Sequence, residues 1–289
     1  MADDIRVRIG IGSVLIVAIT GLVYFDHWSG HGWGAITLSV VLMGLGLLEY
    51  ARMAGNLAPV AGKTLALAGA LYVLSKGLGH ELDPRFHLLS APLVVGFLFA
   101  VFFTCLRGAP SPERLRGLAL TVFGFVYLPW LGGFMLDARF LDPSQPRLGE
   151  AAFFFTIAIA KGTDICAYFA GKLTGKTKFV PSVSPGKTVA GFMGALGGGI
   201  AITCAFSAFS SVGQLLPLAL APGVGILLAL VGVSGDLIES FVKRSVEVKD
   251  SAALLPSFGG VLDIIDSIVI CAPPVYFLLL LLTHLRGTL

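Results

Sequence analysis

Long runs of apolar residues, separated by short polar stretches, dominate the chain. A helix needs about 20 mostly apolar residues to cross the hydrocarbon core of a bilayer. Nine runs meet this requirement, at about 9–25, 34–50, 59–75, 87–106, 116–136, 151–171, 190–210, 214–234 and 266–285. Because backbone N–H and C=O groups in lipid must be paired within their own segment, each run is predicted to be a helix. The pattern therefore predicts an all-α, polytopic integral membrane protein with about nine transmembrane helices.

Composition supports a membrane protein and excludes a water-soluble one. Of 289 residues, 56% are hydrophobic and only 13% are charged, whereas soluble domains carry about 25% charged residues. The net charge of +3 is small, and no nucleic acid partner is expected. The cysteines lie inside apolar runs without metal-type spacing, so they are predicted to be free thiols; they are Cys105, Cys166, Cys204 and Cys271.

The distribution of Lys and Arg predicts the orientation, since loops rich in these residues face the cytoplasm. With the N-terminus inside, 14 of the 20 Lys and Arg residues fall in inner segments and five in outer ones, while Lys161 lies within a span. This bias predicts a cytoplasmic N-terminus and an external C-terminus. The apolar run after Arg8 continues to about Tyr24 without a small-residue cleavage site, so it is predicted to be the first membrane helix.

Polar groups suited to chemistry are unevenly distributed along the chain. The first five spans have short loops and show no convergent polar groups, so residues 1–150 are predicted to form an N-terminal domain of about five membrane helices. Residues 151–289 are predicted to form a C-terminal domain of about four spans. Two cytoplasmic loops of this second domain carry the candidate functional residues.

An ionisable pair interrupts the sixth span. Lys161 and Asp164 are three residues apart, so they share one helix face and can pair. A charged residue at membrane depth usually marks a polar cavity, because it is costly unless it is paired or hydrated. The alternative is an internal ion pair that holds helices together.

The segment 171–191 combines glycines with lysines. Glycine lets a backbone approach an anion closely, and lysine neutralises the anion. Thr188 can cap the helix that follows, whose N-terminus favours phosphate. The segment is not a Walker loop, because Pro181 stands where that motif requires glycine. The alternative is an ordinary positively charged cytoplasmic loop.

The segment 235–267 is the richest in charged groups. Asp236 and Glu239 are three residues apart, and so are Asp263 and Asp266, so each pair projects from one helix face. Carboxylates suit a hard cation such as Mg²⁺, and neighbouring cationic side chains suit phosphate oxygens. The alternative is a salt-bridged cytoplasmic loop. The charged residues between the two acidic pairs include Lys243, Arg244, Lys249 and Asp250.

This segment resembles the signature of the phosphatidate cytidylyltransferases, the CDP-diacylglycerol synthases. The family pattern is Ser, two residues, Lys-Arg, four residues, Lys-Asp, then Pro-x-His-Gly-Gly and Asp-Arg-x-Asp. The matching positions here are Ser240, Lys243, Arg244, Lys249, Asp250, Pro256, Gly259, Gly260, Asp263 and Asp266. The earlier segment matches at Asp164, Ala167, Tyr168, Gly171, Gly175, Lys176, Pro181, Ser184, Pro185, Lys187 and Thr188. Phe258 replaces the family histidine, and Ile264 replaces the family arginine.

The resemblance implies the reaction of CTP with phosphatidate to give CDP-diacylglycerol and pyrophosphate, a step in phospholipid biosynthesis. The catalytic residues it implies are Asp263, Lys243, Arg244, Lys249 and Asp250. The implied metal ligands are Asp236, Asp263 and Asp266, which would hold Mg²⁺, with K⁺ as a second cation. The implied substrate-binding residues are Asp164, Tyr168, Lys176, Ser184, Lys187, Thr188 and Ser240. The expected partners are CTP, phosphatidate, membrane lipid and a second copy of the chain.

The implied location is the bacterial cytoplasmic (inner) membrane, with the active site on the cytoplasmic side. Four other interpretations remain open from the sequence. The protein could be a divergent lipid cytidylyltransferase, or a CTP-using lipid kinase, that acts on another acceptor. It could also be a transporter, since Lys161 and Asp164 lie within a span, or a family member that has lost catalysis at Phe258 and Ile264.

Overall fold

The structure is a computed structural model that describes residues 17, 20–22, 24–246 and 260–287. The predicted span at 9–25 lies mostly outside these residues. Residues 24–29 are helical. The further helices are α1 (Trp33–Ala54), α2 (Gly62–Glu81), α3 (Ser90–Leu106), α4 (Pro112–Phe125), α5 (Phe134–Arg139), α6 (Pro146–Thr174), α7 (Val189–Phe209), α8 (Ala221–Ser245) and α9 (Val261–Gly287). Short 3₁₀ turns occupy Pro84–Leu89 and Ser211–Gln214, and a π-helical turn occupies Val126–Trp130.

Seven helical segments among the described residues are long and apolar enough to cross a membrane. They are Trp33–Ala54, Pro84–Leu106, Pro112–Arg139, Pro146–Thr174, Val189–Phe209, Ala221–Ser245 and Val261–Arg286. The predicted all-α, polytopic class is therefore confirmed, whereas the count of nine is not. The predicted span at 59–75 does form a helix, α2, but Lys63, Lys76 and Glu81 keep it less apolar than the seven.

The described parts of the charged segment 235–267 are mostly helical. Helix α8 continues to Ser245, and α9 already begins at Val261, so both acidic pairs lie on helices. Asp236, Glu239 and Lys243 are spaced by three and four residues, which places them on one face of α8. Hydropathy locates only the lipid-buried part of a helix, so the predicted spans missed these extensions.

A β-hairpin joins α6 to α7. Strand β1 (Lys178–Val180) pairs antiparallel with β2 (Ser184–Thr188), with Lys178 opposite Thr188. The ring of Phe179 stacks on that of Phe192 in α7, with a centroid separation of 4.6 Å. The predicted loop between these helices is therefore a hairpin whose two strands pair through their backbones.

The chain divides into two compact units. The first comprises Met1–Leu136 with Ser245–Ile265, and the second comprises Asp137–Arg244 with Asp266–Leu289. The boundary that the sequence analysis placed near residue 150 stays a prediction.

The first unit packs around the buried side chains of α1. Tyr50 is fully buried, and its hydroxyl donates to the carbonyl of Leu120 at 2.8 Å. Pro129 lies inside the π-helical turn, since proline lacks the N–H that an α-helix needs there. A side chain at Gly69 would collide with Leu47 and Pro129. The glycine therefore lets α2 pack closely against this turn.

Glu49 caps the N-terminus of α9 within the first unit. Its side chain is only 1% exposed, and its carboxylate oxygens accept the backbone N–H groups of Val261 and Leu262 at 2.9 and 2.8 Å. A helix N-terminus carries unpaired N–H groups and a partial positive charge, and a carboxylate satisfies both. This cap was not among the features predicted from the sequence.

Replacing Glu49 with alanine is expected to destabilise the protein by about 2–4 kcal/mol, because two buried N–H groups lose a charged acceptor. Glu49→Gln should cost less, since the amide oxygen still accepts one of them. The measurement is thermal unfolding in detergent. Glu113→Ala, at an exposed position of α4, is the matched control. Equal unfolding temperatures for Glu49→Ala and Glu113→Ala would show that the cap contributes nothing.

The second unit is held together by close helix contacts at glycine. A side chain at Gly194 or Gly198 would collide with Cys166 in α6, and one at Gly199 would collide with the backbone of Gly225 in α8. Small residues let membrane helices approach until their backbones touch. These contacts fix the end of α6 and the beginning of α7, where the candidate site lies.

Candidate active site

A cavity of about 570 Å³ opens between the end of α6, the hairpin, the start of α7 and α8. Six residues predicted from the sequence line it: Asp164, Tyr168, Ser184, Lys187, Thr188 and Asp236. Lys172 and Lys178 line it as well, although they were not among the predicted site residues. The cavity therefore has a wall rich in ammonium groups and two carboxylates at its edge.

Thr188 forms the junction between the hairpin and α7. Its hydroxyl oxygen accepts the backbone N–H of Gly191 at 3.1 Å, which confirms the predicted N-terminal cap. Side chains at Gly171 and Gly175 would lie 2.9 and 2.5 Å from this hydroxyl. Only glycine at these two positions lets α6 pass so close to the cap, and this approach shapes one side of the cavity.

Three carboxylates converge beside the cavity. One oxygen from each of Asp236, Glu239 and Asp266 lies within 4.8 Å of the other two. Glu239 and Asp266 are buried, with exposed fractions of 2% and 4%. An all-oxygen, anionic donor set of this size fits a hard divalent cation such as Mg²⁺.

Each of the three carboxylates also has a lysine partner. Lys187 Nζ lies 2.8 Å from Asp236 Oδ2. Lys243 Nζ lies 2.8 Å from Glu239 Oε2. Lys161 Nζ lies 2.9 Å from an oxygen of Asp266. The ammonium groups offset the charge of the acids, as buried carboxylates require.

Lys161 also contacts Asp164, at 3.6 Å, so the predicted pairing within the sixth span is confirmed. The hydroxyl of Ser267 donates to Asp164 Oδ2 at 3.1 Å, and the backbone N–H of Ser267 donates to Asp266 Oδ1 at 2.6 Å. Asp164, which lines the cavity, is thereby linked to Asp266, which belongs to the carboxylate cluster.

Asp263 has a different setting from the other predicted metal ligands. Its Oδ2 accepts the backbone N–H of Gly260 at 2.7 Å, so it closes the first turn of α9 as a capping residue. It belongs to the first compact unit, whereas Asp236 and Asp266 belong to the second. A metal or catalytic role for Asp263 stays a prediction.

The remaining predicted site residues are Ser240, Arg244, Lys176, Lys249 and Asp250. Ser240 and the exposed Arg244 lie on the last turns of α8. Lys176 is exposed between α6 and β1 and does not line the cavity. Lys249 and Asp250 lie outside the described residues. Glu239 was not among the metal ligands implied by the resemblance, although its spacing of three from Asp236 was the signal that both share one helix face.

This arrangement is chemically suited to a polyphosphate with a divalent cation. Carboxylates can hold the cation, while Lys172, Lys178 and Lys187 can neutralise phosphate oxygens in the cavity. Phosphoryl chemistry needs little more than positioning and charge neutralisation of this kind.

The chain is similar to known proteins along almost its whole length. It is 29% identical to the phosphatidate cytidylyltransferase of Chlamydia pneumoniae, over 96% of this chain and 92% of that protein. It is 35% identical to that of Chlamydia trachomatis serovar D, over 96% of this chain and 94% of that protein. It is 38% identical to that of Bacillus subtilis, over 54% of this chain and 56% of that protein. Residues 6–282 match the family described as "Cytidylyltransferase family", so the chain belongs to the cytidylyltransferase family of nucleotidyltransferase enzymes.

Proposed function

We propose that this protein is a phosphatidate cytidylyltransferase, which transfers CMP from CTP to phosphatidate in phospholipid biosynthesis. The observation that carries the proposal is the cluster of Asp236, Glu239 and Asp266 beside a lysine-lined cavity, between membrane helices. The two Chlamydia relatives that carry this name match the chain over almost all of its length, which supports the choice of acceptor.

The reaction requires no nucleophilic side chain. A phosphate oxygen of phosphatidate attacks the α-phosphorus of CTP, a new P–O bond forms, and the bond to the β-phosphate oxygen breaks. The electron pair leaves with pyrophosphate. Catalysis then consists of holding the two phosphates in line and neutralising their charge.

The chain's own residues supply these functions. Asp236, Glu239 and Asp266 would hold Mg²⁺, which would neutralise charge on the triphosphate when bound. Lys187 lines the cavity, so its ammonium can turn from Asp236 to a phosphate oxygen. Lys243 pairs with Glu239 and does not line the cavity, so its catalytic role stays a prediction. The K⁺ expected from the resemblance stays a prediction, and so do the roles of Lys249 and Asp250.

The membrane setting fits a lipid acceptor. Phosphatidate keeps its acyl chains in the bilayer while its phosphate must meet water-borne CTP. The proposed orientation places the N-terminus and the cavity on the cytoplasmic side of the bacterial inner membrane, as the Lys and Arg distribution predicts. A homodimer also stays a prediction, and cross-linking in native membranes is the measurement that tests it.

The activity is tested with purified protein in mixed micelles that contain phosphatidate and Mg²⁺. CTP labelled at the α-phosphorus should transfer its label to the lipid phase, and CTP labelled at the γ-phosphorus should not. Transfer of the γ-label would instead identify a CTP-using lipid kinase. Transfer of the α-label only to another lipid would identify a different acceptor. Absence of either transfer, from folded protein, would contradict the proposal and favour a transporter.

Lys187→Met is expected to raise the KM for CTP by roughly 10- to 100-fold, because a charged hydrogen bond to phosphate contributes about 1.5–3 kcal/mol. The effect on kcat should be smaller. Steady-state kinetics with varied CTP provide the measurement. Lys63→Met removes the same charge from an exposed position at the start of α2 and should behave like the parent. An unchanged KM in the Lys187 variant would remove this lysine from the nucleotide site.

A further inference from the structure

Lys161 is a lysine in the interior of a membrane helix. It lies midway along α6, and its side chain is 28% exposed. An ammonium group at membrane depth is strongly unfavourable unless it is paired. Its Nζ bridges two carboxylates, at 2.9 Å from Asp266 and 3.6 Å from Asp164. The bridge therefore joins a member of the carboxylate cluster to a residue that lines the cavity.

Ser267 donates hydrogen bonds to the same two carboxylates. Its hydroxyl donates to Asp164, and its backbone N–H donates to Asp266. The ammonium of Lys161 thus sits in a site whose acceptors are already oriented. Such an arrangement resembles the binding of a small monovalent cation between carboxylate groups more than a surface ion pair.

The three lysines of the cluster differ in what they can reach. Lys187 lines the cavity from strand β2, and Lys243 lies near the end of α8. Lys161 does not line the cavity and is attached to the middle of α6. Of these three lysines only Lys187 lines the cavity, so its charge can turn toward a substrate, whereas the charges of Lys161 and Lys243 stay with their carboxylates.

We propose that the Lys161 ammonium is a built-in monovalent cation of the carboxylate cluster, which orients Asp164 and Asp266 and weakens divalent cation binding while no nucleotide is bound. A positive charge 2.9 Å from a ligand oxygen opposes a second cation at that oxygen. A divalent cation would then bind tightly only when nucleotide phosphates supply further oxygen ligands. Lys161 acts as a positioning residue, and this role rests on the proposed function.

The first test measures Mn²⁺ binding to the full-length protein in detergent, without nucleotide, by electron paramagnetic resonance. Lys161→Met is expected to bind Mn²⁺ at least about tenfold more tightly than the parent, because the opposing charge is gone. Lys161→Arg keeps the charge and should resemble the parent. The matched control is Lys76→Met, which removes an ammonium that lies over the ring of Phe134 in the first compact unit.

The second test uses chemical rescue of turnover. Lys161→Ala removes the ammonium and leaves a space, so added methylammonium should restore part of the lost activity. Lys161→Met fills the space, so the same amine should not restore its activity. The parent should not respond to the amine.

The outcomes separate this inference from the proposed function. If the parent makes no CDP-lipid, the proposed function fails. The Mn²⁺ titration still tests whether Lys161 weakens divalent cation binding. If the parent is active, equal or weaker Mn²⁺ binding by Lys161→Met would overturn the inference. Lys161→Gln, a second neutral variant, must show the same tightening. If methylammonium does not restore turnover to Lys161→Ala, the inference is also contradicted. The ion pairs of Lys161 would then serve only to hold helices together.

Discussion

An Asp266→Asn variant is expected to lose turnover by about a thousand-fold or more while the protein still inserts and folds. Asp266 is 4% exposed and provides one of the three oxygens that converge within 4.8 Å. Asparagine has nearly the same shape and still offers an oxygen to the N–H of Ser267. It removes the charge that a divalent cation and the ammonium of Lys161 both require. The expected loss is therefore electrostatic rather than structural.

Two measurements separate these causes. Turnover is followed with α-labelled CTP, and Mn²⁺ binding is measured on the same preparation, where at least a tenfold weakening is expected. Glu113→Gln, which removes one carboxylate charge from an exposed position, is the control and should keep parental values. Retention of more than a tenth of the parental turnover by Asp266→Asn would eliminate Asp266 as a metal ligand.

The elements that depend on local pattern could be predicted from the sequence. Apolar runs located the lipid-buried part of the helices, and the spacing of Lys161 and Asp164 predicted their pairing. Thr188 was predicted as a helix cap because threonine suits that position before an apolar run. These features depend on neighbours within four residues, which a single sequence displays directly.

The features that depend on distant partners were not predicted. Glu49 accepts the backbone N–H groups of Val261 and Leu262, which lie more than 200 residues further along the chain. The hairpin at 178–188 is short, and its stacking of Phe179 on Phe192 involves two elements. Sequence periodicity carries no information about such pairings, since each requires tertiary packing.

The candidate metal ligands combine a feature that could be predicted from local spacing with one that depends on distant partners. The spacing placed Asp236 with Glu239 on one face and Asp263 with Asp266 on another. It could not decide which members of the two pairs converge, because that choice depends on the rotation and packing of α8 and α9. The structure brings Glu239 to Asp236 and Asp266. Asp263 instead accepts the N–H of Gly260, so its predicted metal role must be separated from its capping role.

An Asp263→Asn variant separates the two roles. The amide oxygen of asparagine can still accept the N–H of Gly260, so the first turn of α9 should stay capped and the unfolding temperature should change little. If Asp263 also contributes charge to the reaction, turnover should fall by about a hundred- to a thousand-fold. The measurement pairs thermal unfolding with turnover of α-labelled CTP.

Asp263→Ala removes the acceptor as well as the charge, so it should add about 1 kcal/mol of destabilisation to the same loss of turnover. Parental turnover in Asp263→Asn, together with lower stability in Asp263→Ala, would make Asp263 a cap alone. The divalent cation site would then consist of Asp236, Glu239 and Asp266. Loss of turnover in both variants, with stability lost only in the alanine variant, would give Asp263 a catalytic charge in addition to its structural hydrogen bond.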